Sequence, residues 1–429
     1  MTNYGKKLDS RSHPDSHHFR ELGRNQVHDQ GQNLIRYLPI LLVAGVLILA
    51  GCVGPVALHK AVLEYDDTVQ RLESEMLLLN IARLHNNLPD HYTVTSAIAA
   101  TFDFRSSIGF QGNWPGFFDN PKSQDKYSLN VGASVSENPT MSIVPVQGAE
   151  FTERILKPLD DETFGFLAYQ GVNVGLLARL MARSFHNRDS GGNFLSSALN
   201  NPDLAESYRE FRRIELHLQW LSEVRELWVL PIRFTQRVVA ELSGPPSAGD
   251  IANALDKGYR WRKLGGPNEY ELARIYSDRI AITNYDPNTL TNKEREKLYR
   301  LANRTPENHA LVDIERGYPG GDYPIFGSFK LRSLNSILAF LADTIDKAPE
   351  FEVAPDPRTG PVKDNPIRTM DVQLTDSAPD TDLRVKFAGK YYSVPNTNWD
   401  REAFLIMYKL FQVTVTDVSA IGIPVTIAK

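Results

Sequence analysis

The single cysteine of this chain, Cys52, closes an apolar run, and the two together constrain the chain more than any other feature. Leu38 to Ala50 are 13 consecutive residues without a charge. As a helix they would extend about 20 Å at ~1.5 Å per residue, short of the ~30 Å hydrocarbon layer of a bilayer. Arg36 precedes the run and the small residues Ala50 and Gly51 follow it, which is the build of a secretory signal's apolar region. A lone thiol rules out an intramolecular disulfide, a multi-cysteine zinc site and a CxxC redox pair. Two other readings compete. Uncharged sequence continues from Leu38 to Leu58, 21 residues, which would suit an uncleaved spanning anchor. Gly51, Gly54 and Pro55 weaken a continuous helix there. An ordinary buried thiol is the commonest fate of a lone cysteine, but it sits badly at the end of an export signal.

Leu49-Ala50-Gly51-Cys52 resembles the lipobox of bacterial lipoproteins. The resemblance implies that the Cys52 sulfur carries a diacyl group, that the chain is cut before it, and that the new amino group receives a further acyl chain such as palmitate. Two or three chains, at ~0.8 kcal/mol per buried CH₂, anchor stably where a single chain is marginal. Under the enteric sorting rule, Asp after the cysteine retains a lipoprotein at the inner membrane. Val53 therefore implies the outer membrane of a bacterial cell envelope. Residues 1–51 become a signal peptide with an unusually long n-region, residues 1–36, holding His13, His17, His18 and His28 and a net charge of +2. Cleavage would discard any metal site there.

Removing residues 1–51, which carry +2 of the chain's −5, leaves 378 residues at −7. That is room for two or three domains. The acidic balance, with pI near 6.1, argues against a nucleic-acid partner. The expected fold class is α+β: a long N-terminal amphipathic helix, antiparallel strands and helical segments in two or three packed domains. The expected divisions are 52–148, a lipid-anchored helix with a β-rich region; 149–242, mainly helical; and 251–429, mixed, with Leu242 to Asp250 as a linker. The helix reads from Ala57 to Leu88. In it Val62, Tyr65, Val69, Leu72, Met76 and Leu79 follow the 3–4 spacing of a coiled-coil seam. They form either a self-association seam or a stripe packed on the helix's own domain.

Thr101 to Arg105, Tyr127 to Val135 and Thr140 to Val146 alternate like strands. Between the first two, Phe110-Gln-Gly-Asn-Trp114-Pro-Gly-Phe117-Phe118 reads as an aromatic loop, either a grip for a sugar, lipid or partner, or a cap on the sheet. Asp160-Asp161-Glu162 suits a helix N-terminus. Arg209, Arg212 and Arg213, around Tyr208 and Phe211, read as a solvated helix face ahead of an anion site. Tyr259 and Trp261 alternate with Arg260 and Arg262, so one strand face is aromatic and the other basic; this reads first as an amphipathic strand beside a core and second as a contact for an anionic polymer such as lipopolysaccharide or a glycan. Residues Glu271 to Tyr285 also alternate. Thr291 to Glu294 matches a capping box. Leu331, Leu334, Ile337, Leu338, Leu341 and Ile345 mark an amphipathic helix. Residues 348–382, with six Pro and eight acidic residues, read as a long exposed loop. The tail reads as a hairpin turning at Ala388-Gly389, a helix from about Trp399 to Phe411, and a strand from Ile423 to Ile427.

Catalytic signatures are missing from the sequence. His59, His85, His91, His186, His217 and His309 form no HExxH or HxH arrangement, and no Walker A loop, GxGxxG or GxSxG occurs. No catalytic residue, metal or cofactor is therefore assigned, although paired carboxylates carry no spacing of their own. Leu77 to Arg83, Pro139 to Gly148, Leu331 to Asn335 and the hairpin-plus-helix tail resemble a group of uncharacterised Gram-negative envelope lipoproteins over about half the mature chain. That resemblance implies an envelope origin and transfers no site residues. The expected role is binding, as a scaffold or accessory component of an outer-membrane assembly, with a protein partner or self-association. A glycan- or lipopolysaccharide-binding lipoprotein is the first alternative. An envelope hydrolase whose carboxylates converge only in three dimensions is the second.

Overall fold

The computed structural model describes His59 and residues 62–112, 127–146, 148–189, 191–266 and 268–415; in residues 94–112, 127–146 and 239–243 it is the backbone that is described. Cys52 with its lipobox, Trp114, Phe117, Phe118 and the expected final strand lie outside these residues. The chain divides into two units, residues 1–68 and 69–429. In the first, residues 62–68 are helical, with Val62 exposed and Tyr65 half-buried.

The second unit begins with helix α1, residues 69–85. Its buried face is Leu77, Leu78, Ile81 and Ala82. That face lies one step round from the proposed seam, and Val69, Leu72, Met76 and Leu79 are left half-buried. Asn80 ties the chain that follows the helix back to it by a reciprocal pair with the His91 backbone, donating to its carbonyl at 3.0 Å and accepting from its N–H at 2.9 Å. Strands β1 (Tyr92–Gly112) and β2 (Tyr127–Val146) follow as a two-stranded antiparallel ribbon. They run longer than the sequence segments suggest, and Phe110 belongs to β1, opposite Leu129, not to a loop.

Three short helices come next: α2 (Ala149–Leu156), α3 (Asp161–Tyr169) and α4 (Val174–Met181). The stretch expected to be mainly helical then also yields β3 (Ala182–Arg188) and β4 (Phe194–Leu199) before α5 (Ala205–Glu223). Nothing in the local sequence stops α4 at Met181. Its last carbonyls are instead taken by donors from elsewhere: Arg332 donates to the Arg179 and Leu180 carbonyls at 3.0 and 3.1 Å, and Asn200 to those of Arg179 and Ala182 at 2.9 Å. Helix α4 lies close on α5 because Gly175 faces it; a Cβ at that position would collide with the Glu215 carboxylate.

Strands β5 (Trp228–Pro231) and β6 (Phe234–Ser243) lead to α6 (Ala248–Asp256), β7 (Tyr259–Lys263) and β8 (Glu269–Tyr276). The expected linker thus contains the end of β6 and the start of α6, and β6, β8 and β7 form a three-stranded antiparallel sheet. The Thr291 capping box is present and opens α7 (Asn292–Ala302), which crosses between β9 (Ile280–Thr283) and the parallel strand β10 (His309–Ile314). Strand β11 (Ile325–Leu331) returns antiparallel and completes a six-stranded sheet in the order β4-β3-β11-β10-β9-β5. Every residue of β9 and β10 is buried because both faces are covered. On one face the register partners Phe185 and Phe329 stand 5.1 Å apart, and Phe164 of α3 and Phe211 of α5 pack on Phe329. On the other, Ala281 and Leu311 meet Leu298, Tyr299 and Ala302 of α7.

Helix α8 (Leu334–Asp343) buries Leu334, Ile337, Leu338 and Leu341 as its spacing predicts. The long loop after it is exposed only in part: Glu350, Val353, Asp356, Thr369, Met370 and Val372 are buried, whereas Arg358, Pro361, Lys363 and Asp364 are exposed. Strand β12 (Gln373–Thr375) then pairs with β14 (Lys390–Val394), which forms a hairpin with β13 (Leu383–Phe387). Ala388 and Gly389 both have positive φ, 49° and 85°, the two-residue turn the sequence indicates. Helix α9 (Asn398–Val415) closes the described chain. The second unit is thus α+β, with mostly antiparallel sheets.

Candidate functional site

The acidic triplet at the start of α3 divides into three tasks. Asp160 caps the helix, accepting from the Thr163 N–H at 2.8 Å and its hydroxyl at 2.6 Å. Asp161 is buried and ion-paired to Arg279 at 2.9 Å, and it also accepts from the Ile280 N–H at 3.2 Å. Burial raises its carboxyl above the ordinary range, and the Arg279 guanidinium works against that rise. The remaining Arg279 donors reach Asn303 Oδ1 and the carbonyls of Thr305, Pro306 and His309. All five donors of this guanidinium are thereby used, which fixes β9 against α3. Glu162, the third residue, faces a cleft.

That cleft, about 430 Å³, lies between α3, β5 and the segment from Ser277 to Asn288. Its wall is Gly165, Phe166, Val229, Leu230, Pro231 and Ile280, with Tyr169 at the mouth. The polar groups are Glu162, Asp278, Ser277, Asn288 and Arg233. Asp278 is oriented by the Tyr299 hydroxyl, which donates to it at 2.7 Å. Burial, and then that bond, raise the Tyr299 phenol. Phe166 and Tyr169 are 61% and 80% exposed, although Phe164 and Leu167 of the same short helix are buried. A helix apolar on both faces at a surface presents one of them to something else. Phe166 also borders a second cleft of about 420 Å³, shared with Leu167, Gln170, Lys409 and Val413. An apolar wall with a few converging polar groups suits capture of an amphipathic ligand or segment.

The residues singled out in the sequence fall elsewhere. In β7, Tyr259 and Trp261 are half-buried and Arg260 and Arg262 exposed, so the strand alternates as its sequence indicates. Trp261 donates from its indole to the Asp250 carbonyl of α6 at 3.3 Å, which places it under that helix. Arg262 and Arg237 flank the buried Glu271, each at 2.6 Å, so much of the expected basic face neutralises a carboxylate of its own sheet. In α5, Arg212 is buried, against the solvated face expected of it, and pairs with Glu215. Burial pushes the Arg212 guanidinium down and the Glu215 carboxyl up, and the charge of each partner works against the other's shift. Arg209 is half-buried and paired with Glu206, and Arg213 is exposed.

Among the described residues, no group of three His, Cys, Asp or Glu side chains is placed to hold a metal ion, and no helix is long and apolar enough to cross a membrane. His85 spans Tyr392 and Asp346, each at 2.9 Å, and His91 lies exposed after α1. His186 and His309 lie ring to ring at 5.1 Å, and burial lowers both, His309 to about 4. No family model, curated protein or solved structure matches the chain. The cleft residues Phe166, Tyr169, Arg233 and Asp278 were not singled out from sequence. The one signal was the run Phe164-Gly-Phe166-Leu-Ala-Tyr169, too apolar for a helix with a single buried face.

Proposed function

We propose that this chain is an acyl-anchored envelope lipoprotein that acts by binding, as a scaffold or accessory component of an outer-membrane assembly. The observation that carries this reading is the position of its only cysteine, Cys52, directly after Leu49-Ala50-Gly51 at the end of a 13-residue apolar run. In this reading the residues after the acylated Cys52 tether the body to the membrane. The exposed Phe166 and Tyr169, with the clefts beside them, support a role in binding. A glycan or lipopolysaccharide ligand is the second reading, favoured by Glu162 and Asp278 in the same cleft as the aromatic rings. Aromatic faces stack on the C–H faces of sugar rings, and carboxylates accept from sugar hydroxyls.

The test is metabolic labelling with a palmitate analogue, together with the mass of the mature N-terminus. The intact protein is expected to take up label and to begin at an acylated Cys52. The Cys52→Ala variant should take up none and keep residues 1–51. An unlabelled, uncleaved wild-type chain would show that the apolar run is a spanning helix instead. Detergent pull-down of the labelled protein then identifies what it holds.

A further inference from the structure

Among the described residues, strands β1 and β2 pair with each other and with no other strand, so no described strand covers either long edge of the ribbon. A lone two-stranded ribbon of 21 and 20 residues is marginal in water. Its register is unbroken from Ala97 opposite Ser142 to Gly112 opposite Tyr127. In the distal half, the positions of one parity hold Ser106, opposite Ala133, and the apolar Phe102, Phe104, Ile108 and Phe110. Opposite the last three stand Val135, Val131 and Leu129. The other parity holds Asp103, Arg105, Ser107, Gly109 and Gln111, opposite Ser136, Ser134, Gly132, Asn130 and Ser128. One face of the ribbon is thus hydrocarbon in character and the other carries water-seeking groups.

The length fits as well. Phe102 to Phe110 is nine residues, and a strand crosses a bilayer in ~9–11 residues when tilted. Glu137, opposite Phe102, marks the end of this band toward the body. The devices that protect an open edge from pairing are also confined to that end. They are the register shift between Thr95 and Ala97 and the prolines Pro139 and Pro145. The band itself has neither a bulge nor a proline, so its edges are ready to pair. In hydrocarbon, unpaired edges are not tolerated and only a closed barrel suffices. One chain supplies two strands, and closure needs other copies of the same chain.

We propose that β1 and β2 cross the membrane as one hairpin of a β-barrel closed by several copies of this chain, with the Phe102–Phe110 face toward lipid and the Asp103–Gln111 face toward a water-filled lumen. The proposal deepens the lipoprotein reading and rests on it for delivery of the chain to the membrane. The test uses the full-length protein, purified from membranes in detergent and reconstituted in vesicles of phosphatidylethanolamine and phosphatidylglycerol. Single cysteines are introduced as Phe104→Cys, Arg105→Cys, Ser107→Cys and Ile108→Cys and labelled with a maleimide fluorophore. Positions 104 and 108 are expected to be quenched several-fold more by a nitroxide lipid than positions 105 and 107. Iodide in the water should give the reverse order. The unsubstituted protein in detergent should have a mass several times that of one chain. Equal quenching at both parities, or a monomer mass for the unsubstituted protein, overturns the barrel. The unsubstituted protein also tests the anchor separately: an acylated Cys52 takes no maleimide, and if it labels, the anchor reading fails while the parity pattern still decides the barrel.

Discussion

His217 and Asp313 are buried groups whose protonation works in opposite directions. His217 is held neutral between Gly320, whose carbonyl is 3.0 Å from Nε2, and the Thr359 hydroxyl, 3.0 Å from Nδ1. An N–H at Nε2 donating to the carbonyl and an Nδ1 accepting from the hydroxyl satisfy both contacts. Burial lowers its pKa from 6.5 to about 4. Its contribution is therefore complete above pH 6.5 and is lost as pH falls toward 4. Asp313 accepts from the Tyr285 hydroxyl at 2.7 Å, and burial raises its pKa from 3.8 to about 6. Its contribution is complete below 3.8 and is lost as pH rises through 6. At 1.36 kcal/mol per pH unit each effect is about 3 kcal/mol at its limit. Asp313→Asn should be more stable than wild type above pH 6, with the gap closing by pH 4. His217→Gln should flatten the stability loss between pH 6.5 and 4. Urea unfolding at several pH values measures both. Neither residue could be picked from sequence, because each depends on a cage of residues distant along the chain.

At the level of elements, the segment from Phe351 to Val372 contains no helix or strand, yet it is held as firmly as one. Arg179 of α4 donates to the Pro366 and Ile367 carbonyls at 2.8 and 2.7 Å, to Thr369 Oγ1 at 3.1 Å and to Glu350 at 3.2 Å. Glu350 also accepts from Tyr208 at 2.9 Å and from the Thr369 N–H at 2.6 Å. Burial alone would raise the Glu350 carboxyl; Arg179, Thr369 and Arg212 outweigh it and hold it low. Removing one partner of a fully buried pair leaves the other charge stranded. Glu350→Ala should lose about 3–5 kcal/mol in urea unfolding. It should also expose Arg358, Lys363 and Arg368 to trypsin well before the rest of the body. Its proline and acid content made this segment look like solvent-exposed loop. Composition reports which residues resist regular structure; it does not report whether a guanidinium elsewhere will collect their carbonyls. By contrast, the Thr291 capping box and the Ala388-Gly389 turn were legible, because each completes its hydrogen bonding or backbone twist within a few residues.

For the whole molecule, the ribbon and the body answer to different environments. The core takes Tyr92 from the base of β1 and packs it on Phe151 and Phe411. Replacing residues 97–142 by a short turn should therefore leave the body's thermal unfolding within a few degrees of wild type, by circular dichroism, and abolish its association in detergent. By itself the sequence determined what acts locally: alternating strands, helix caps, the C-terminal hairpin, and the absence of the common cofactor motifs. Only the tertiary structure decided where α4 stops, since Arg332 and Asn200 must arrive from elsewhere to take its carbonyls. It alone gathered Glu162, Asp278, Phe166 and Tyr169 around one cleft, and it alone set the register that sorts β1 and β2 into an apolar and a polar face. The division follows from range: caps, turns and periodicity are satisfied by neighbours along the chain, whereas burial, long-range charge pairing and strand register depend on partners that sequence distance does not reveal.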